Sequence, residues 1–428
     1  DATTTGGTNT ALGYAALSSN TTAGYNVAVG KAAMEANTTG SENVAVGMAA
    51  LDANTTASYN VAVGATAMGA NTTGAGNIAM GYQALAVNTT ASYNVAIGHQ
   101  ALVANTTGAG NVGIGKDTLL ANTTGSNSTA VGIDALTAQT TGDANTAVGS
   151  QALMAITTGA TSTAVGRNAL KAATTGSSNV AIGYACLDAL TTADLNTAVG
   201  YFAGSGVTDG HTNTFVGSDA GKAITTGDEN VAIGHGALDA GTTVNGNTAV
   251  GTDTMASASY AGGNNTAVGY NALLVSTTGS GLTAIGNQAL DANTTGSNNT
   301  AVGSAALGAN TTGAGNTAIG WAALDANTTG SNNVAVGKDC LGANTTGSEN
   351  VAMAPNSALL SNTTGVGNVA IGNQALMAAT TANDNTAVGR YAGTALTTGE
   401  DNVAIGSDAL LVCTTGNRNV AIGYGALK

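Results

Sequence analysis

Asn293-Thr294-Thr295-Gly296 returns as Asn310-Thr311-Thr312-Gly313 and again as Asn327-Thr328-Thr329-Gly330, a step of 17 residues. A fixed short period that fills a chain restricts the fold more than any composition does, because every repeat must take the same shape and stack on its neighbours. With position one set at the Asn of each N-(V/T)-A-(V/I)-G unit, 25 units begin between Asn9 and Asn419. Every step is 17 except Asn247 to Asn265 and Asn350 to Asn368, which are 18. Length therefore does not count domains, and the chain reads as one repeat domain over residues 1–428.

Within a unit, positions one to five (Asn26-Val27-Ala28-Val29-Gly30) and roughly seven to eleven (Ala32-Ala33-Met34-Glu35-Ala36) read as strand-like pieces, punctuated by Gly at five and Gly or Ala at fifteen. Gly and Thr-Thr interrupt any 3.6-residue pattern every few residues, which argues against helices. The expected class is all-β: a parallel β-solenoid (β-roll) with one 17-residue coil per repeat. At about 4.8 Å per coil, about 25 coils amount to a rod of about 120 Å.

Charge placement checks the register. All nine Lys and Arg fall at positions six, seven, ten, sixteen or seventeen, and of the 23 acids only Asp1 and Asp209 fall elsewhere. Those five positions read as wet corners and the other twelve as facing something dry. In the first strand, positions two and four carry Val, Ile, Thr or another apolar residue, while position three is Ala nearly throughout, with Gly113 and Phe215 as exceptions. Alternation puts these on opposite faces. One face lines the coil. The other is expected to pack on a neighbouring chain, and the small Ala points to close approach there. A homotrimer is the simplest arrangement with a shared axis.

Position twelve carries Asn-Thr-Thr at Asn20, Asn37, Asn54, Asn71, Asn88, Asn105 and Asn122, and again at Asn293, Asn310, Asn327, Asn344 and Asn362. These are glycosylation sequons. Elsewhere the same position holds Gln139, Ile156, Leu190, Ile224 or Cys413, which suits a buried site. Two readings stand: a stacked Asn ladder, each amide bonding the next coil, or sugar acceptors at some copies.

The N-(V/T)-A-(V/I)-G unit followed by an Ala-Leu step resembles the head repeats of trimeric autotransporter adhesins. The full form N-T-A-V-G-x-x-A-L-x-A-N-T-T-G is also similar to repeats in long bacteriophage tail fibres, some of which end in an endosialidase-type chaperone domain. The resemblance runs from Asn9 to Lys428. It implies a left-handed, trimeric, extracellular β-roll that holds or forms a binding surface. The adhesin repeat is shorter, so this coil needs an extra corner. The sequence shows no anchor, coiled-coil stalk or chaperone domain, which leaves its attachment open, and the start at Asp1 suggests a processed product or fragment.

Chemistry-bearing residues are sparse. A net charge of -14 argues against nucleic acid, and no run of about 18 apolar residues predicts membrane insertion. Cys186, Cys340 and Cys413 sit at dry positions many coils apart. His99 and His235 share position six, eight coils apart, and Asp209-Gly210-His211 lacks a nucleophile. No catalytic residues, metal ligands or cofactors are expected. The candidate binding surface is aromatic: Tyr14, Tyr82, Tyr184, Tyr201, Tyr270, Trp321 and Tyr424 all occupy the wet position six, and Tyr25, Tyr59 and Tyr93 occupy position seventeen. Coils near 196–212, 247–264 and 350–367 break pattern, through Tyr201-Phe202-Ala203-Gly204, a residue gained around Ser259-Tyr260, and Ala354-Pro355-Asn356.

The expected function is a structural extracellular fibre or adhesin shaft, on a cell surface or virion. It spaces and presents surfaces toward a surface glycan or host protein. The alternatives are a filament subunit that polymerises through uncapped coil ends and an ice-binding solenoid built on Thr rows.

Overall fold

The computed structural model describes residues 5–257 and 260–428, so Asp1 and Ser259 lie outside the described residues. The chain divides into two compact units, the first running to Thr212 and the second from Asn213 to Lys428. Each is a parallel β-solenoid, with no helix among the described residues. In the first unit, strands β1 (Thr10–Leu12) to β12 (Thr197–Val199) follow one per coil. Each pairs in parallel with the next at a step of 17, as Thr10↔Val27 and Val27↔Val44. In the second unit, β13 (Thr214–Val216) to β25 (Val420–Ile422) follow in the same way, with steps of 18 at Thr248↔Thr266 and Val351↔Val369.

Most of these strands are only three residues long, positions two to four. Gly at position five ends them. Gly64 has φ 137 and Gly81 φ 141, and a methyl on either would collide with the carbonyl oxygen of the position-five Gly in the next coil. Only glycine fits both the dihedral and the contact. Backbone bonds then lock the coils: Val27 N–H donates to Asn43 O (2.9 Å) and Gly30 N–H to Leu12 O (2.8 Å).

The second strand expected over positions seven to eleven does not form. That stretch is a run of tight turns. Ala32 and Met34 are left-handed, at φ 58 and 49. Ala33 and Met34, adjacent in sequence, are both fully buried. An extended strand would send neighbours to opposite faces, so two successive inward side chains require this twisted path. Periodicity did not reveal it because the Ala-Leu step is compatible with either backbone.

The two faces of the strand are assigned the other way round from the expectation. Ala28, Ala45, Ala62 and their equivalents are fully buried and line the coil's own interior. The β-branched positions two and four face outward and are half exposed. The Ala face is therefore not an intermolecular surface. Small side chains are needed there because the interior is narrow, and position nine (Leu51, Leu85, Leu102) already fills it. Absence of charge does not mark burial here: position four carries no charge, and position fourteen only Asp209, yet both are partly or fully exposed.

Coil irregularities follow the same volume logic. Gly241 leaves room at position twelve, and the ring of Tyr260 comes within 3.3 Å of where its methyl would sit. Tyr260 is buried, and its hydroxyl joins Asn247 Oδ1 (3.0 Å) and Asn265 Nδ2 (2.6 Å). In the coil after Asn350, position five is Ala354, which cannot take the glycine corner. The strand β21 (Val351–Asn356) runs on instead, paired with β20 (Val334–Lys338) through a register shift between Val336 and Lys338. The added residue is the bulge this requires. The coil over 196–212 keeps its step of 17, with Val207 taking the buried position twelve.

Candidate functional site: an aromatic row outside, two asparagine ladders inside

Position twelve is internal except at Cys413 in the second-last coil, which is partly exposed. Asn20, Asn37, Asn54, Asn71, Asn88, Asn105 and Asn122, and Asn293, Asn310, Asn327, Asn344 and Asn362, are each 0% exposed. Asn54 Nδ2 donates to Asn37 Oδ1 (2.8 Å) and to its own coil's Ala57 O (3.0 Å). Asn327 Nδ2 donates likewise to Asn310 Oδ1 (2.8 Å) and Gly330 O (3.0 Å). No glycan can be carried by an amide in that position without opening the coil.

A second ladder, not singled out by the sequence, runs through position one. Asn43 N–H donates to Asn26 Oδ1 (2.9 Å), and Asn26 Nδ2 to Gly40 O (2.9 Å). Where Ser128 shortens this row, the longer Gln139 reaches across from position twelve, donating to Ser128 Oγ (3.1 Å) and to Asn122 Oδ1 (3.2 Å). The recurrence of Asn at position one, broken only at Ser128, Ser162 and Leu282, is the sequence signal for this row.

Position six lies outside. Its rings range from 39% exposed at Tyr184 to 80% at Tyr14, with Tyr82, Tyr201, Tyr270, Trp321 and Tyr424 between. Neighbouring coils bring some together. Tyr184 and Tyr201 stack at 5.5 Å, with Phe202 edge-on to Tyr201 at 4.4 Å. Tyr82 stacks on His99 at 5.5 Å, and Lys338 Nζ sits 4.9 Å above Trp321. Tyr391, at position seven, carries Arg390 at 5.1 Å. The row is a series of short platforms rather than a pocket.

The ionisable groups are corner groups. His99 and His235 each face an Asp one coil on, Asp117 (3.5 Å) and Asp253 (3.7 Å). His211 Nδ1 accepts the Asp194 N–H (3.0 Å), and Asp209 accepts the hydroxyl of Thr192 (2.9 Å). No three His, Cys, Asp or Glu side chains converge as a metal site among the described residues. Position-ten aspartates are half-buried, and desolvation holds Asp52, Asp188, Asp239, Asp291 and Asp325 above the usual carboxylate range. Cys186 and Cys340 are buried, and burial pushes the Cys186 thiol up to about 12. Among the described residues no helix is long and apolar enough to cross a membrane.

Comparison with known proteins adds no identity: no family model and no curated protein matches the chain.

Proposed function

We propose that the chain is a structural segment of an extracellular fibre or adhesin, a shaft that spaces and presents surfaces for attachment and associates side by side with copies of itself. One observation carries this reading. Positions two and four form an outward row of Val, Ile, Met and Thr without a charge, and Val46, Met80, Ile114 and Ile182 in it are 36–41% exposed. A flat apolar strip repeated coil after coil is what lateral assembly uses. The position-six rings supply the attachment surface toward a glycan or a host protein.

Light scattering on the full chain tests the assembly. The expected mass is that of three chains, falling toward the single-chain 40.7 kDa when Ile114→Lys and Ile182→Lys place charge on the strip. A single-chain mass for the unsubstituted protein sinks the lateral association. Long rods in the void volume favour an end-to-end filament instead.

A further inference from the structure

Tyr25, Tyr59 and Tyr93 are 64–74% exposed at position seventeen of alternate coils in the first unit. Position seventeen is left-handed throughout, with φ 59, 66 and 63 at the three tyrosines. In other coils it holds Gly, Asn or Asp (Gly76, Gly110, Asn127, Asn298, Asp384) but also Glu42, Ala144, Thr161, Leu195 and Arg418, so the coil imposes the dihedral on whatever side chain stands there. A bulky aromatic there is conformationally unfavourable. What sets the three apart is their regular spacing: large exposed rings recur at one position at a step of two coils.

Their orientation adds a second observation. Position-seventeen side chains reach back over the preceding coil: Asn127 Oδ1 lies 2.9 Å from where a methyl of Gly110 would sit. The ring of Tyr93 does the same, with Cδ1 and Cε1 at 3.0 and 3.1 Å from the methyl position of Gly76. The ring of Tyr93 thus lies over Gly76 and is 74% exposed, whereas the residues one coil before Tyr25 and Tyr59 are Thr8 and Glu42.

We propose that Tyr25, Tyr59 and Tyr93 form a binding platform for an extended, uncharged β-1,4-linked polysaccharide. Two coils span about 9.6 Å at the ordinary strand spacing. In an extended β-1,4 chain successive pyranose rings turn over, so the same C–H face recurs once per disaccharide, at about 10 Å, close to two strand spacings. Each tyrosine then meets an equivalent sugar face, and aromatic faces stack on such apolar faces. The small mismatch stays within about 1 Å over two intervals, which suits a platform of three rings better than a longer one. Thr22, Thr56 and Thr90, three residues before each ring, are exposed and offer hydroxyls. The net charge of -14, with Glu42 between Tyr25 and Tyr59, selects against sulfated or uronic-acid polymers. The inference rests on the reading of the shaft as a surface for attachment, but not on its oligomeric state.

The test is co-sedimentation of the full chain with crystalline cellulose and with chitin, and with insoluble amylose as an α-linked, coiled control. The expected result is retention on at least one β-1,4 polymer and none on amylose. Retention should fall at least about tenfold in Tyr25→Asn/Tyr59→Asn/Tyr93→Asn, which keeps a left-handed-tolerant residue at each site. It should fall similarly in Glu42→Tyr/Tyr59→Asn, which keeps three rings but breaks their spacing. Equal retention on amylose, no retention on either β-1,4 polymer, or undiminished binding by the triple variant overturns the proposal. Light scattering on the same samples separates the two readings: lost binding with intact assembly leaves the shaft standing, and binding by single chains does the reverse.

Discussion

If the position-twelve asparagines act as one hydrogen-bonded unit, the same substitution must cost more inside the ladder than at its end. Asn327 and Asn362 allow the comparison within one unit of the fold. Asn327 Nδ2 bonds Asn310 Oδ1 (2.8 Å), and Asn327 Oδ1 accepts from Asn344 Nδ2 (2.8 Å). Asn327→Leu therefore strands two buried groups, the Asn310 oxygen and one Asn344 N–H. The remaining partner, Gly330 O, keeps Asn316 Nδ2 at 2.8 Å. Asn362 Nδ2 bonds Asn344 Oδ1 (2.8 Å), but its own Oδ1 has no partner, because Ala379 replaces the next amide. Asn362→Leu strands one group and removes one already stranded, and Gly365 O keeps Asn350 Nδ2 at 2.8 Å. Each buried unsatisfied group costs about 1–3 kcal/mol. Leucine occupies this position natively at Leu190 and Leu396, so its bulk is tolerated and roughly cancels between the sites. The interior substitution should cost about 2–6 kcal/mol more than the terminal one. Urea unfolding followed by Trp321 fluorescence, in the same coil as Asn327, reads the difference as a shift in midpoint at unchanged slope. Equal costs at the two sites would refute the ladder as an energetic unit.

Gly81→Ala places a methyl against the Gly98 carbonyl at φ 141 and should destabilise by more than about 3 kcal/mol, read by the same denaturant titration on far-ultraviolet circular dichroism. Ala354→Gly combined with deletion of Pro355 should restore a regular 17-residue coil, with melting temperature held or raised; a cooperative loss of structure would show that the bulge has a separate role. With pH, the desolvated aspartates act against the usual trend. Asp52, Asp188, Asp239, Asp291 and Asp325 have folded pKa values above the unfolded 3.8. The folded state therefore takes up protons first, and stability rises as pH falls from neutral toward that range. The melting temperature should climb as pH falls through the raised folded values toward the unfolded 3.8, and Asp→Asn at these sites should flatten the slope. Asp219, held low by Lys222, opposes this and is lost only in stronger acid. A thiol reagent should modify Cys413 in the native protein, and Cys186 and Cys340 only on unfolding; native labelling of Cys186 would contradict its burial.

The period, the first strand of each coil and the corner positions were readable because they rest on spacing and charge, which survive any choice of backbone path; the second strand expected at positions seven to eleven was not there. The path itself was not. Whether Ala28 or Val27 faces inward depends on the interior width, and that is set by Met34 and by the left-handed turns at Ala32 and Met34. No propensity rule anticipates left-handed Ala and Leu, since each is locally unfavourable and is stabilised only by the coils above and below. The binding rows were legible as exposed aromatics, but not their grouping: Tyr184, Tyr201 and Phe202 meet because two coils and two adjacent positions coincide.

The same physics explains why such a scaffold suits display. Its shape is fixed by backbone bonds between coils along most of the repeat and by the residues at positions one, five, nine and twelve. Positions two, four, six, fourteen and seventeen contribute little to closing the coil and so are free to carry any side chain the outside requires. Position seventeen makes the point most sharply. Tyrosine is the wrong residue for a left-handed turn, yet Tyr25, Tyr59 and Tyr93 are held there at φ 59–66, because the coil dictates the dihedral whatever the side chain. A surface whose backbone is set by its neighbours in the stack can place rings at a multiple of the strand spacing, and the choice of which coils carry them then determines what repeat length the surface recognises.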